Sequence, residues 1–322
     1  MTVLALDLGG TKLAGSIVEP CGKMVHHCQT LLGTRQNSEV GDLILAMIRE
    51  LLLQAHAQNR PISAVGICVP GIYFPEKGEV WAPNIPGWER FPLRDFLHHF
   101  LDGHSLPIHI GSDREACILG EAWLGAARGC RNAVFLVVGT GIGAGILLEG
   151  RVLQGIGGAA GAVGWMALHR PYREEYAGCG CLEYYASGMG IAQRAVESFS
   201  QDGAMGAIWG AITPERIAFP QVFEAYRGGN LSAVRIIHQA IEMWGMTVAN
   251  LVSLLNPERI LFGGGLFGPA AEFLDRIHAE AARWAQPQSM KQVKLVLAEL
   301  GGMAPLYGAA RIALNEWDGS SE

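Results

Sequence analysis

Two glycine-rich segments contain the residues whose types and spacing best suit chemistry on phosphate. Each is a tight turn between two apolar runs, and they read Asp7-Leu-Gly9-Gly10-Thr11-Lys12 and Gly139-Thr140-Gly141-Ile-Gly143. Glycine lets the backbone approach an anionic ligand closely and direct N–H groups at it. Only the first turn follows an acid, and the Asp7 carboxylate suits a metal ion bound to phosphate. The duplication predicts two half-molecules that hold one polyphosphate.

Alternating strands and helices must position these turns. The apolar runs predict a strand–turn–strand unit around each turn, and the spacing of Leu43, Met47, Leu51 and Ala55 predicts a helix. A strand at 107–110 leads to Ser112 and Glu115, which have capping-box spacing at a helix start. Strands and helices alternate in both halves of the chain, which predicts an α/β fold.

Composition narrows the function classes. The chain has 322 residues, half of them hydrophobic, and its net charge of −6 disfavours nucleic acid as a partner. No apolar run reaches the roughly 18 residues of a membrane span. The N-terminus has no signal-peptide pattern, and the seven cysteines are an odd number without disulfide spacing, so we expect a cytoplasmic protein. The histidines His26, His27, His98, His99 and His104 have no usable ligand spacing.

Six motifs in order resemble those of the ROK sugar kinases and their related repressors. They are Asp7–Lys12, Ala82-Pro83-Asn84 with Gly87-Trp88, Asp113 before Gly120-Glu121, Gly139–Gly143, Gly180-Cys181-Leu-Glu183 and Gly263-Gly264-Gly265. The resemblance covers nearly the whole chain. It implies an actin-like, ribonuclease-H-like ATPase fold with two lobes and a central cleft, and ATP-dependent phosphorylation of a sugar. We expect a small lobe of residues 1–112 plus 301–322, a large lobe of residues 113–300, and a homodimer.

The resemblance makes Asp113 the catalytic base, since phosphoryl transfer to a sugar needs a carboxylate that accepts the hydroxyl proton. The residues alone equally allow an acid favoured by the helix macrodipole. Asp7 is expected to hold Mg²⁺, with a simple acid before a hairpin as the alternative. Lys12 fits a phosphate contact or an ordinary surface lysine.

The remaining glycine motifs are assigned to ATP. Gly139, Thr140, Gly141 and Gly143 are expected to meet the β- and γ-phosphates through backbone N–H groups. Gly263, Gly264 and Gly265 are expected beside the adenosine portion at a helix start. The alternative for this last motif is a strand-to-helix turn that needs positive φ.

Asn84 and Glu183 are the expected sugar contacts. An amide offers a donor and an acceptor to a sugar hydroxyl, so Asn84 would join Asp113 at the phosphorylated end. The alternative is an Asx turn. By resemblance Glu183 contacts the other end of the sugar, although it fits a surface helix equally well.

The chain departs from the family at a sugar- and zinc-binding motif. Ala162 and Trp165 stand where the family has glutamate and histidine, and only Cys179 and Cys181 remain of the cysteine cluster. A closed zinc site needs four ligands, so we expect no structural zinc here, although His169 offers a substitute ligand. Trp165 would present an aromatic wall, which predicts either a sugar modified near C1 or C2, or a hexokinase-type enzyme with altered specificity.

The favoured function is therefore an ATP- and Mg²⁺-dependent sugar kinase that acts on a primary hydroxyl such as O6 of a hexose-like substrate. A non-catalytic sugar sensor or repressor is the first alternative. The first phosphate turn begins at residue 7, with no helix-turn-helix before it, which disfavours that alternative. An actin-like chaperone or filament protein is disfavoured by the sugar-loop residues Asn84 and Glu183.

Overall fold

The computed structural model describes residues 2–100, 106–202 and 217–314. His104 and the end of the predicted small lobe, 315–322, lie outside the described residues. The chain divides into two compact units. Unit 1 comprises Met1–Arg131, Gly145–Ala160 and Glu299–Glu322, and unit 2 comprises Asn132–Ala144 and Gly161–Ala298.

The secondary structure alternates as the sequence predicts. The strands are β1 (Thr2–Leu8), β2 (Lys12–Val18), β3 (Met24–Leu31), β4 (Ile62–Val69), β5 (Ile72–Phe74), β6 (Glu79–Trp81), β7 (Ile108–Ser112), β8 (Ala133–Val138), β9 (Ile142–Leu148), β10 (Arg151–Val152), β11 (Arg259–Gly263) and β12 (Lys294–Leu297). The helices are α1 (Ser38–Ala57), α2 (Leu93–Phe100), α3 (Asp113–Leu124), α4 (Cys181–Ala186), α5 (Gly188–Asp202), α6 (Phe219–Arg227), α7 (Leu231–Leu255), α8 (Leu274–Trp284), α9 (Pro287–Gln292) and α10 (Ala304–Ala313). Within the described ranges, none of these helices has the length and hydropathy needed to cross a membrane.

The sheet of unit 1 has the strand order β3-β2-β1-β4-β7. β2 runs antiparallel to both β1 and β3, whereas β1, β4 and β7 run parallel to one another. Both faces are covered, which explains why β1 is an almost continuous apolar run. Leu4 and Leu6 pack in the core that includes α1, whereas Val3 and Ala5 pack in the core that includes α10.

Helices α3 and α10 pack closely in unit 1 because each has a glycine at the contact. A Cβ on Gly308 would lie 1.8 Å from the carbonyl oxygen of Ala116, and one on Gly120 would lie 2.4 Å from that of Ala304. This packing puts α3 in unit 1, whereas the sequence-based boundary begins the second lobe at residue 113.

A buried carboxylate completes the α3 region of unit 1. Glu121 is fully buried and accepts backbone N–H bonds from Ala126 at 2.7 Å and Leu300 at 2.9 Å. Buried polar groups of this kind persist only when they are hydrogen-bonded. Glu121, part of one of the six motifs, therefore fastens the end of α3 to the chain segment that precedes α10.

The second sheet repeats the strand order of the first. Its order is β10-β9-β8-β11-β12, and β11 runs parallel to both β8 and β12. Three consecutive strands thus occupy one end of each sheet, and two later strands extend it parallel to the first of the three. The structure bears out the duplication that the two glycine turns indicate.

The glycine segment after β11 leads into 3-10 helix rather than directly into an α-helix. Gly265–Phe267 forms a single 3-10 turn, and α8 begins only at Leu274. The chain requires glycine because Gly264 has φ of +88° and a Cβ there would lie 2.4 Å from the carbonyl oxygen of Val138. Positive φ at Gly264 fits either interpretation of this motif, so its place beside the adenosine portion stays a prediction.

Candidate active site

Two acidic residues, Asp7 and Asp113, stand at the carboxyl ends of parallel strands in unit 1. Asp7 lies near the end of β1 opposite Cys68 of β4, and Cys68 pairs in turn with Gly111 of β7. Asp113 follows β7 directly as the first residue of α3. Because parallel strands end at the same edge of a sheet, the sheet brings together two carboxylates that are more than 100 positions apart in the sequence.

Asp113 is a partly buried carboxylate with a strongly shifted acidity. Burial raises its pKa from 3.8 to about 6, the neighbouring Arg114 opposes the rise, and the charge of Asp7 adds to it. Its Oδ1 accepts the backbone N–H of Arg114 at 2.8 Å. A carboxylate with this pKa is largely ionised at neutral pH and still a useful proton acceptor.

The alternative role of Asp113, as an acid that favours the helix start, is already filled by the capping residues of α3. Ser112 and Glu115 form the predicted capping box: the Ser112 hydroxyl accepts the N–H of Glu115, and the Glu115 carboxylate accepts the N–H of Ser112. These reciprocal bonds satisfy the first donors of α3. Asp113, the partly buried acid in the next position, lowers the free energy of unfolding at neutral pH. Ionisable groups in such unfavourable surroundings are common at functional sites.

Asp7 has the properties of a cation ligand. Burial raises its pKa, while the Cys68 thiol and the charge of Lys12 oppose the rise. The thiol donates to Asp7 Oδ1 at 3.2 Å. A thiol is a weak donor, so this carboxylate keeps most of its capacity to accept, and oxygen is the ligand that Mg²⁺ prefers. The donor chemistry therefore fits Mg²⁺.

The first glycine turn lies beside the predicted sugar-loop residue Asn84. The turn is closed by a bond from the Gly9 N–H to the Lys12 carbonyl at 2.9 Å. A Cβ on Gly10 would lie 2.6 Å from Asn84 Nδ2, so a larger residue at this position would displace the Asn84 amide. Lys12 is exposed and donates to Gln29 of β3 at 3.1 Å.

Asn84 lies on a loop that buried aromatic side chains anchor to the core of unit 1. Trp88 is completely buried, donates from its indole Nε1 to the Asn37 carbonyl at 2.9 Å, and stacks on Phe91 at a centroid distance of 4.4 Å. Ile85 is also buried, whereas Asn84 beside it is exposed. The aromatic residues of this loop therefore serve the core, and they leave the Asn84 amide at the surface, where it can meet a ligand.

In unit 2 the glutamate predicted to contact sugar is bonded to the second glycine turn. Glu183 Oε2 accepts the backbone N–H of Ile142 at 2.7 Å. A Cβ on Gly141 would lie 2.8 Å from this oxygen, and one on Gly164 would lie 2.9 Å from it. Burial raises the pKa of Glu183, and the bond from Ile142 opposes the rise. Sequence reasoning missed this hydrogen bond. The only signal for it in the sequence is glycine at positions 141 and 164, where a larger residue would collide with Glu183.

The second and third glycine motifs meet at one cavity within unit 2. This cavity of about 560 Å³ is lined by Gly139 and Thr140 of the turn after β8 and by Gly265 after β11. Met189 and Phe219 also line it, and sequence reasoning did not identify either. The Gly139 carbonyl accepts the N–H of Gly188 at 2.8 Å, which holds the turn against the start of α5.

Trp165 lines a different cavity of unit 2, with a volume of about 730 Å³. It is 57% exposed, so its ring face is available to a ligand. His169, the substitute zinc ligand, lines the same cavity, and its Nδ1 lies 3.3 Å from the Tyr176 hydroxyl and 3.4 Å from that of Tyr185. These hydroxyls engage the histidine, and the absence of zinc at this motif stays a prediction.

Two units have the same strand order and a glycine turn each, and unit 1 has the acid pair. These features define the class of protein, an α/β protein with the actin-like ATPase fold. The sequence profile described as ROK family matches residues 3–316. The chain belongs to the ROK family, as its six motifs indicate, and the predicted fold class is confirmed.

Relatives of this chain include enzymes and regulators. A glucokinase of Halalkalibacterium halodurans is 29% identical over 315 residues, which cover 95% of this chain and 92% of that protein. A ROK family glucokinase from Streptomyces griseus, in complex with glucose and AMPPNP, has a TM-score of 0.75 and 27% identity, with coverage of 98% of this chain and 99% of that chain. A ROK family transcriptional regulator, a homolog of the E. coli MLC protein, has a TM-score of 0.82 and 27% identity over 97% of this chain and 77% of its own.

Proposed function

We propose that this protein is a sugar kinase that transfers the terminal phosphoryl group of ATP to a hydroxyl of a hexose-like monosaccharide, at O6. The observation that carries the proposal is the pair of partly buried acids, Asp7 and Asp113, at the carboxyl ends of β1 and β7 in a ROK chain. Glucokinases among its relatives support a sugar as the acceptor.

Asp113 acts as the general base in this proposal. Its pKa of about 6 leaves the carboxylate ionised at neutral pH, so it can accept the proton of the sugar hydroxyl as the new O–P bond forms. Asp7 raises this pKa because like charges in a low-dielectric setting disfavour a second ionisation. A cation held by Asp7 would reduce that repulsion, so cation binding at Asp7 would favour ionisation of Asp113.

ATP is assigned to the glycine turns and to the cavity of unit 2. The cavity at Gly139, Thr140 and Gly265 would receive the adenosine portion, and backbone N–H groups of the two turns would bind phosphate oxygens. Asp7 would hold Mg²⁺, which supplies neutralisation of phosphate charge when it is bound.

The sugar is assigned to Asn84, Glu183 and Trp165. Asn84 is exposed beside the first turn, and Glu183 has one oxygen bonded to the second turn and a second, Oε1, to accept from a hydroxyl. The Ala162 side chain has no acceptor, and Trp165 offers an exposed aromatic face. We therefore propose altered specificity at the C1/C2 end of the sugar.

A coupled assay of ADP release tests the function. The purified protein with ATP and Mg²⁺ is given glucose, fructose, N-acetylglucosamine, N-acetylmannosamine and glucose derivatives substituted at C1 or C2. We expect ADP release that depends on one of these sugars, with phosphorus on O6 of the product by NMR. Absence of ADP release with every sugar would refute the kinase proposal. Unmodified glucose as by far the best substrate would refute only the altered specificity.

A non-catalytic, sugar-sensing regulator is the second candidate. The observation that favours it is the TM-score of 0.82 with the ROK transcriptional regulator. A regulator would bind sugar without turnover, so a sugar would raise the melting temperature while ADP release stays at background. The same sugars in a thermal-shift measurement therefore distinguish the two candidates.

A further inference from the structure

Three side chains of unit 1 that the proposed kinase reaction does not use form a compact group of unlike donors. His26 and Cys28 lie on β3, the edge strand of the sheet, and Glu50 lies on α1. One ligand atom from each lies within 4.8 Å of the others. An imidazole nitrogen, a thiol sulfur and a carboxylate oxygen at such distances can share one metal ion.

The pleat of β3 explains why its two residues meet α1. His26 and Cys28 are two positions apart, so they point to the same face of the sheet. They pair with Ile17 and Gly15 of β2. A Cβ on Gly15 would lie 2.6 Å from Met47 Sδ of α1, which identifies this face as the one that α1 covers.

The imidazole of His26 lacks a partner where it would need one. Its Nε2 is buried and has no hydrogen-bond partner among the described residues. A buried polar atom left without a partner costs free energy of about 1–3 kcal/mol. A metal ion bound through Nε2 would supply the missing partner.

The charges of the group also favour a cation. The Glu50 carboxylate lies near the Cys28 thiol, so the group contains one anion and a second side chain that becomes anionic when it loses its proton. A divalent cation would replace the thiol proton, which leaves to solvent, and would bind both anions at once. Glu50 is exposed, so a water molecule can reach a fourth coordination position.

We propose that His26, Cys28 and Glu50 form a zinc site that fastens the edge strand β3 to α1. Zinc accepts nitrogen, sulfur and oxygen ligands in a tetrahedral arrangement, whereas Mg²⁺ and Ca²⁺ prefer oxygen alone. Three protein ligands and one water leave the site open. This site shares no residue with Cys179 and Cys181 of unit 2, so it is independent of the prediction that the motif there binds no zinc.

Metal titration of the full chain tests the proposal. The protein is stripped with a chelator and titrated with ZnCl₂ by calorimetry, then with CoCl₂ to detect thiolate-to-cobalt charge-transfer absorption. We expect one zinc per chain, a thiolate band with cobalt, tighter binding at higher pH, and a higher melting temperature with zinc. Cys28→Ser and Glu50→Gln should each weaken zinc binding by at least about tenfold.

Matched cysteine variants make the outcome specific. Cys21→Ser removes an exposed thiol outside the group, and the double variant Cys179→Ser/Cys181→Ser removes the thiols of the family motif, so both should bind zinc as the parent does. Zinc binding of parental affinity in folded Cys28→Ser or in Glu50→Gln, or binding that is lost only in the double variant, would overturn the proposal. So would absence of zinc binding in the parent. Glu50→Gln changes an exposed side chain, so it keeps the test decisive if Cys28→Ser does not fold.

Discussion

Replacement of Asp113 by asparagine should remove activity and at the same time stabilise the protein. The asparagine side chain has the same shape as aspartate and keeps an oxygen that can accept the N–H of Arg114, which Asp113 Oδ1 now accepts at 2.8 Å. The substitution removes the charge and the ability to take a proton. We expect kcat to fall by roughly 10²–10⁴, the usual contribution of a general base.

The gain in stability follows from the pKa of Asp113. Its pKa rises from 3.8 to about 6 on folding, so the folded protein binds this proton more tightly than the unfolded chain does. A tenfold change in acidity corresponds to about 1.4 kcal/mol, so the ionised side chain costs up to about 3 kcal/mol at pH 7. The cost is absent below pH 3.8, grows as the pH rises to about 6, and stays constant above that. Asp113→Asn should therefore raise the free energy of unfolding by about 1–3 kcal/mol at pH 7 and by much less at pH 4.

Two measurements check this reasoning. The ADP-release assay gives kcat for the parent and the variant at saturating sugar and ATP, and urea unfolding at pH 7 and pH 4 gives the two stability differences. Asp42→Asn, which changes an exposed acid of α1, is the control and should alter neither quantity. In the parent, kcat/KM should fall about tenfold for each pH step below about 6, because the base must be ionised.

Near-parental turnover by Asp113→Asn would remove Asp113 from the reaction. Loss of stability at pH 7 would show instead that the charge is compensated in the fold, and the account of its acidity would be wrong. Loss of turnover together with the expected gain in stability is the joint result that a catalytic base in an unfavourable environment predicts.

Three further substitutions test other parts of the structure. Glu183→Ala should raise KM for ATP and for sugar by about 5–100-fold, because the second glycine turn loses its 2.7 Å bond. Glu183→Gln should keep KM for ATP and raise only KM for sugar. If both variants raised KM for ATP equally, the positioning role of Glu183 would be contradicted. Glu121→Gln should lower the free energy of unfolding by about 1–3 kcal/mol, because the glutamine NH₂ group would face a backbone N–H that a carboxylate oxygen now accepts. An unchanged urea midpoint would refute this. Gly308→Ala should cost about 1–3 kcal/mol because its Cβ would lie 1.8 Å from a carbonyl oxygen of α3, and Gly302→Ala, with no atom within 4 Å, should be neutral in the same denaturation experiment.

Local patterns were sufficient for the elements that form the fold. The capping residues Ser112 and Glu115 fixed the start of α3, and the four-residue spacing of apolar residues located α1. These signals are local because helix caps and amphipathic faces depend on neighbours three or four positions away. The type of helix after Gly263, 3-10 rather than α, and the positive φ of Gly264 were not predicted, because Gly264 closely approaches Val138 of a strand distant in the sequence.

Residue roles depended on contacts that no local pattern encodes. His26 and Cys28 have ordinary strand spacing, and only the packing of α1 on β3 adds Glu50 to them. Glu183 reads as a sugar contact by its motif, yet its Oε2 is bonded to a turn about 40 residues earlier in the chain. Met189 and Phe219 line the cavity at Gly139 although neither has a polar or glycine signal.

The sequence by itself determined the α/β class, the two glycine turns and the identity of the acids, because apolar periodicity, turn chemistry and residue type are properties of short segments. Only the tertiary structure decided that Asp7 and Asp113 share one edge of a sheet, and therefore that burial and mutual repulsion raise the pKa of Asp113. An ionisable group takes its pKa from every charge and every apolar atom around it, and these surroundings are assembled from distant parts of the chain.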